Sequence, residues 1–426
     1  DAEFHSILAM MTWMARIGEW DVKKEIGRHT FDDAVHADQL RSRLMELRRS
    51  PKRQLRSTVP FRAFLWKLEQ APDSASFLAG VYRVLKPKLI SAYHYHIQRT
   101  DSVADAPTVK LLERFIADHE RHIRQMDAAI QMMAADADAA RRVSRWVQEL
   151  EDAFSDSGGL VNDPSVEVAE DGGDAAIALA EEAPFFTTEP FGARDPKRFR
   201  RCTHREAVEH VRALGPREKL MWQWHQQSDN ELMAGEFGGQ CARENLDMPW
   251  EFFMDMARLA WDEVRHTEIF EKRLEEFGGY LGMYPILPGN FAYRFSLPYA
   301  VRAADLHLMG EARGQLGLLA HRDTHQVFGD ALSSKMFDYI HADEEKHVFF
   351  GRKWVTGYLL GDVPGKAKSV LEDVENLRAI WGEIMGVPFV RHLTQQGETS
   401  SVTAAVGLEN VAQLLLLAVG VIALSV

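Results

Sequence analysis

Two short tetrads constrain this chain more than any other feature: Glu263-Val-Arg-His266 and Glu344-Glu-Lys-His347, each a Glu-x-x-His. On an α-helix, positions i and i+3 share a face, so the carboxylate and imidazole of each tetrad reach toward one point. Each tetrad also interrupts an apolar stripe. Phe252, Met256, Leu259, Glu263, His266 and Phe270 follow alternating four- and three-residue steps, as do Phe337, Ile340, Glu344, His347 and Gly351. Ionisable residues therefore stand where an amphipathic helix places its core. A carboxylate buried without a partner costs on the order of several kcal/mol, and a shared metal relieves both tetrads at once. A metal-free polar network of Glu and His is the competing reading.

A helical bundle that holds two metals in this way needs one further Glu from each of two other helices. Glu231 precedes Glu263 by 32 residues and Glu311 precedes Glu344 by 33, the equal stagger that two antiparallel helix pairs require to meet at one level. The 48 residues from Glu263 to Glu311 contain Gly278-Gly279, Pro285, Pro288 and Pro298, which reads as a long crossover between the pairs. Glu236 is the alternative ligand on the first helix. It lies five positions beyond Glu231, about 140° round the helix, so the two cannot face the metals equally. Gly235, Gly238 and Gly314 lie near Glu231 and Glu311; they make room either for a cavity or for close helix contact.

The rest of the chain fits an all-α protein. Apolar residues recur at helical spacing, and alternating strand-like runs are few. The 426 residues are 46% hydrophobic and 27% charged, enough apolar material for more than one core. A net charge of −13 argues against a nucleic-acid backbone as main partner, although Arg198, Arg200 and Arg201 form a small basic patch. Two cysteines, Cys202 and Cys241, provide neither a disulfide framework nor a thiolate zinc site, which suits a reduced cytoplasmic setting. The apolar stretch from Phe4 to Met14 lacks a basic flank, so no secretory signal is expected. The stretch Val411–Val426 has only Gln413 and Ser425 as polar side chains; burial, homodimer formation and peripheral membrane association all remain open for it. Residues 155–202, with SDSGG and EDGGD runs and several prolines, read as an irregular linker. The expected domains are therefore 1–154, the linker 155–202, a metal-binding bundle over 203–365, and C-terminal helices with the apolar tail over 366–426.

The N-terminal part repeats the scheme in altered form. Asp32-Asp33-Ala-Val-His36 parallels Asp262-Glu263-Val-Arg-His266, and Asp118-His119-Glu-Arg-His122 parallels Asp343-Glu344-Glu-Lys-His347. Trp20 and Trp250 each stand 13 residues before the acidic residue of their motif, and Asp105 and Asp330 each stand 14 before His119 and Glu344. This points to an internal duplication with a degenerate first copy. Lys86 occupies the position that matches Glu311, and a cation there opposes a dinuclear site; only Glu3 or His5 is placed to stand in for Glu231. A mononuclear site of His36, His119 and His122 is the alternative, while His94 and His96 read as solvated or hydrogen-bonded rather than ligating.

The pair Asp262-Glu263-Val-Arg-His266 and Asp343-Glu344-Glu-Lys-His347, with Glu231 and Glu311, resembles the ferritin-like diiron-carboxylate superfamily. The segments GEARG (310–314) and ADEEKHVFFGRKW (342–354) resemble its bacterial branch related to the tRNA-modifying diiron hydroxylases. The resemblance covers about 220–358 and implies a ferritin-like four-helix bundle. It implies Glu263 and Glu344 as bridging ligands, Glu231 and Glu311 as terminal or bridging ones, and one iron each for His266 and His347. Asp262 and Asp343 would hold the ligating imidazoles by their other nitrogens. Lys346 departs from the pattern, where Arg is frequent.

A carboxylate-rich set with two imidazoles and no thiolate suits iron, or manganese with iron, better than a softer metal. The expectation is an oxygen-activating diiron oxidoreductase with dioxygen as co-substrate. It would act on a small or carrier-bound organic substrate by hydroxylation, N-oxygenation, desaturation or halogenation, with electrons from an external donor, since no dinucleotide-binding glycine motif is evident. The alternatives are a ferroxidase or iron-handling protein, and a non-catalytic interaction protein.

Overall fold

A computed structural model describes residues 1–49, 58–160, 192–287, 294, 297, 299–363 and 365–385. The apolar stretch Val411–Val426, residues 161–191 of the expected linker and much of the crossover's second half lie outside the described residues. Among the described residues the regular structure is helical, with one isolated parallel bridge joining Arg201 and Ile286. No helix among them is long and apolar enough to cross a membrane.

The chain divides into two compact units, Asp1–Thr187 with Gly238–Trp261, and Thr188–Phe237 with Asp262–Val426. Unit 1 carries α1 (Ala2–Met14), α2 (Trp20–Glu46), α3 (Val59–Glu69), α4 (Ser74–Ala79), a π-helical segment (Gly80–Leu85), α5 (Lys86–Arg99), α6 (Ala106–Met133) and α7 (Ala137–Asp156). Next come α8 (His204–Ala213), α9 (Pro216–Glu244), α10 (Trp250–Glu276), α11 (Tyr299–Ala303), a second π segment (Ala304–Glu311), α12 (Ala312–Val327), α13 (Ala331–Phe350), a third π segment (Gly351–Leu359) and α14 (Lys366–Met385). The boundary between the units cuts α9 and α10. Residues 238–261, which the sequence groups with the 203–365 bundle, fall in unit 1 for a steric reason. A Cβ added at Gly239 would sit 2.3 Å from the Met11 carbonyl oxygen, so only glycine lets α9 approach α1 this closely. Phe253 meets Phe4 edge-on at 4.9 Å, and the Trp250 indole donates to Asp38 at 2.8 Å.

Local chemistry sets the helix ends. Gly278 and Gly329 take left-handed backbone conformations (φ 81° and 76°) just past α10 and α12, where a side chain would be strained. Asp330 then caps α13 by accepting from the Ser333 amide at 3.1 Å. In α8, Thr203 and Glu206 form a reciprocal capping box.

The alternating stripes read from the sequence are buried faces. Phe252, Met256, Leu259 and Phe270 of α10 are buried, as are Phe337 and Ile340 of α13, and so are the Glu and His residues between them. Burying one such apolar side chain contributes about 1.5–3 kcal/mol, so these faces fix which way each helix turns its tetrad. In unit 2 the Thr267 hydroxyl donates to the Ser228 carbonyl at 3.2 Å, joining α10 to α9, while α12 packs along α13.

Candidate metal centre

Six residues singled out in the sequence converge in unit 2. Ligand atoms of Glu231, Glu263, His266 and Glu344 lie within 4.8 Å of one another, and so do those of Glu263, Glu311, Glu344 and His347. Glu263 and Glu344 belong to both sets. Each set adds one further Glu and one His. The arrangement is that of two adjacent cation positions sharing two carboxylates.

The imidazoles point their Nδ1 atoms inward. His266 Nδ1 lies 3.2 Å from Glu263 Oε2 and 3.5 Å from Glu344 Oε1. His347 Nδ1 lies 3.4 Å from both Glu263 Oε1 and Glu344 Oε2, and 3.7 Å from Glu311 Oε1. Their Nε2 atoms face the two aspartates, crosswise. His266 Nε2 is 3.3 Å from Asp343 and His347 Nε2 is 3.5 Å from Asp262, so each helix presents an aspartate to the other helix's imidazole. Arg265 ties the two aspartates together, at 2.8 Å to Asp343 and 2.5 Å to Asp262. Arg265 does not stand out in the sequence. Its position three after Asp262 and on the same helix face is the signal that was available.

Two further residues needed the structure. His307 Nδ1 lies 2.7 Å from Glu311 Oε2, holding that carboxylate from within the second π segment. Arg194 pairs with Glu236 at 2.7 Å and with Asp229 at 2.6 Å. That pairing corrects the alternative ligand assignment: Glu236 is buried but is spent on a guanidinium, and it lies outside both converging sets.

The donor set fits divalent metal. Glu311 Oε1, Glu344 Oε2 and His347 Nδ1 are buried without a hydrogen-bond partner, although nearly all buried polar atoms in proteins find one. Electrostatics agree. Burial and then the neighbouring Glu263 push Glu231 well above the usual carboxylate range. Burial and then Glu344 push Glu263 up as well. Against their burial, Asp343 and Glu263 hold the His266 imidazolium far above its usual range, and Glu344 and Asp262 do the same for His347. Glu344 is drawn down, its burial outweighed first by His347 and then by His266. The cluster thus balances its charge by retaining protons. Two divalent cations would balance four carboxylates and two neutral imidazoles without them.

Above the carboxylates lies a cavity of about 350 Å³. Glu231, Glu263, Glu311 and Glu344 line it, together with Asn230, Ala234, Leu306, Ile340 and a row of glycines, Gly310, Gly314 and Gly317. His266 and His347 are not among its lining residues. A Cβ at Gly314 or Gly317 would meet nothing within 4 Å, so these two glycines keep the cavity wall low. Gly238 does something else: a Cβ there would lie 3.2 Å from Leu259 and 3.3 Å from the Met256 carbonyl, a close helix–helix contact.

Unit 1 contains a second buried cluster built on the same plan. Glu3, Asp33, His36 and His119 place ligand atoms within 4.8 Å of one another. His122 does not join them, so the three-histidine site is not what the fold assembles. Its Nε2 turns to Asp32 at 3.0 Å while His36 Nε2 turns to Asp118 at 3.1 Å, the same crosswise pairing as in unit 2. Here Arg121 ties the two aspartates together. The residue matching Arg121 in unit 2 is Lys346, and Arg265 supplies the guanidinium from the other helix instead. Glu3, not His5, enters the cluster: the His5 ring bonds back to the Asp1 carbonyl at 3.0 Å. His94 and His96 are exposed, as expected.

One family matches part of the chain, over residues 167–362, and its description is a protein of unknown function (DUF455). The matched segment includes all six converging residues of unit 2 and none of the unit 1 cluster. No curated protein and no solved structure matches the chain.

Proposed function

We propose that unit 2 is a dinuclear metal centre of the ferritin-like kind and that the chain is an oxygen-activating oxidoreductase. Iron is the first choice of metal, with a mixed manganese–iron pair as the variant. Glu263 and Glu344 would be shared between the metals, Glu231 and His266 would complete one position, and Glu311 and His347 the other. A ferrous pair held there would supply electrons to dioxygen for the oxidation of an organic substrate, an external donor restoring the reduced state.

The observation that carries this reading is the cavity over the four carboxylates. The imidazoles, held by their aspartates, close the site on the other side. The carboxylate side is left to a small molecule or to the arm of a carrier-bound one, and a purely iron-storing centre has no need of that volume. Leu306, Ile340 and Ala234 offer apolar contact, while Asn230 and Gln227 offer hydrogen bonds to orient a polar group.

The same reading extends to descent. Both α2 and α10 run 27 residues from a tryptophan to a glutamate, and π segments lead into Lys86 and end on Glu311. With the matched crosswise His–Asp pairs, this supports unit 1 as a degenerate duplicate of the metal-binding bundle.

Metal analysis after iron-replete expression tests the centre. The expected result is about two irons per chain, lost in Glu311→Ala and His347→Ala and retained in His122→Ala. Rapid mixing of the ferrous protein with oxygen, with and without candidate substrates, then separates an oxygenase from an iron oxidase. A metal-free wild-type protein would overturn the proposal.

A further inference from the structure

Where unit 2 leaves room for cations, unit 1 contains one covalently. Lys86 is fully buried, and its Nζ lies 2.6 and 2.7 Å from the two carboxylate oxygens of Asp33. It also lies 3.3 Å from His119 Nδ1 and 3.2 Å from His122 Nδ1. Four acceptors thus surround one ammonium that has three protons to donate. His122 Nδ1 faces this ammonium where its counterpart in unit 2, His347 Nδ1, faces the carboxylates.

We propose that Lys86 is a tethered cation standing in the second cation position of unit 1, between Asp33, His119 and His122, and that its charge keeps the adjoining cluster of Glu3, Asp33, His36 and His119 closed to divalent ions, leaving it a latent divalent-metal site. Three observations support this. First, the groups around Lys86 remain of ligand type: Glu3, Asp33, His36 and His119 still converge. Second, Glu3 Oε2 and His36 Nδ1 are buried and have no hydrogen-bond partner, so coordinating capacity is present that the lysine does not use. Third, the outer support is intact, with Asp32 on His122, Asp118 on His36 and Arg121 on both aspartates. An aspartate that merely survived by chance would not keep its crosswise partner.

Charge explains why the exchange of cation came with a change of ligands. In unit 2 four carboxylates require several positive charges, which metal supplies. In unit 1 His119 stands where unit 2 has Glu344, Asp33 stands where it has Glu263, and the ammonium replaces Glu311 itself. The cluster keeps two carboxylates, Glu3 and Asp33, beside one built-in cation. A divalent ion entering this space would meet the ammonium at van der Waals range. The interior of unit 1 therefore carries one fixed positive charge against its two carboxylates whatever the metal supply, whereas the four carboxylates of unit 2 have none.

Cobalt(II) uptake by the full chain tests this separately from the proposed activity, because the unit 2 centre is first silenced with Glu311→Ala and His347→Ala. In that background the protein with Lys86 intact should retain no cobalt after gel filtration and show no cobalt ligand-field absorption. Adding Lys86→Glu should produce about one bound cobalt per chain, a cobalt-dependent rise in Tm, and loss of both on further His119→Ala substitution. Lys86→Gln, which is one atom shorter and removes the charge, should bind more weakly in the same place. Cobalt bound with Lys86 intact and lost in His36→Ala would overturn the proposal. So would folded Lys86→Glu and Lys86→Gln proteins that both fail to take up cobalt. Should Lys86→Glu not fold, the intact-lysine and Lys86→Gln measurements decide the matter alone.

Discussion

Each imidazole of the unit 2 centre turns Nδ1 inward to carboxylates and Nε2 outward to an aspartate of the other tetrad. Asp343 is the better placed support, since it engages His266 at 3.3 Å and Arg265 at 2.8 Å. His266 and Arg265 hold its carboxyl down at about 2 against its partial burial, so it stays ionised throughout the physiological range. Replacing it with asparagine keeps the size but removes the charge that fixes the ring orientation and makes the imidazole a better donor. Asp343→Asn should weaken metal binding about 10–100-fold, read by competition with a chelator, while Glu345→Gln on the exposed side of the same helix leaves it unchanged. At this scale the convergence of the six residues was legible because a shared site imposes fixed spacings, i to i+3 within a helix and matched stagger between helices. The supports were only half legible. Asp262 and Asp343 could be named, but their crosswise assignment depends on how two helices face each other, and His307 depends on a local change of helical pitch that no spacing reveals.

That change of pitch belongs to the elements. Glu311 ends a π-helical segment, Ala304–Glu311, and a second, Gly351–Leu359, begins four residues after His347. A π segment widens the helix and shifts the face that later residues present, and such segments collect at functional sites. The two lie against each other through Gly351: a Cβ there would sit 2.6 Å from the Cβ of His307 and 2.9 Å from Leu308. The His307 contact is with a Cβ, fixed to the backbone, so the π segment carrying His307 and Glu311 must move if Gly351 gains a side chain. Gly351→Ala should destabilise the protein by about 1–3 kcal/mol in urea unfolding. It should also weaken metal binding, because the displaced segment carries Glu311, a candidate ligand. A variant that loses stability but keeps wild-type metal affinity would show that the π segments only pack. The sequence shows Gly351 as the last member of an apolar stripe, which is correct as to burial. It hides the function, because a glycine in a stripe reads the same whether it admits a neighbouring helix, as Gly238 does, or a neighbouring π segment.

Over the whole chain, the two clusters give opposite dependences on metal and proton. The unit 1 cluster holds its cation by a covalent bond, and its stability has no reason to follow metal supply. The unit 2 cluster without metal keeps protons instead. His266 and His347 are raised well above the ordinary imidazole value of about 6.5. A group whose folded pKa is raised stabilises the fold in full below its unfolded pKa, and this contribution is lost as pH rises through the folded value. The metal-free protein should therefore lose stability across the neutral and alkaline range. Glu231 and Glu263, also pushed up, act in the same direction from the carboxylate range upward. Metal binding has the opposite slope. Both imidazoles must give up a proton to coordinate through Nδ1, so each step up in pH removes a competitor until the raised pKa is passed. The difference in Tm between metal-loaded and chelator-stripped protein should widen steadily from about pH 6 to about pH 9. In the Glu311→Ala, His347→Ala background it should collapse to near zero at every pH, because Lys86 leaves unit 1 nothing to bind. A pH-independent difference would mean that the imidazoles are already neutral in the stripped protein, and that the cluster meets its buried charge by some means other than retained protons.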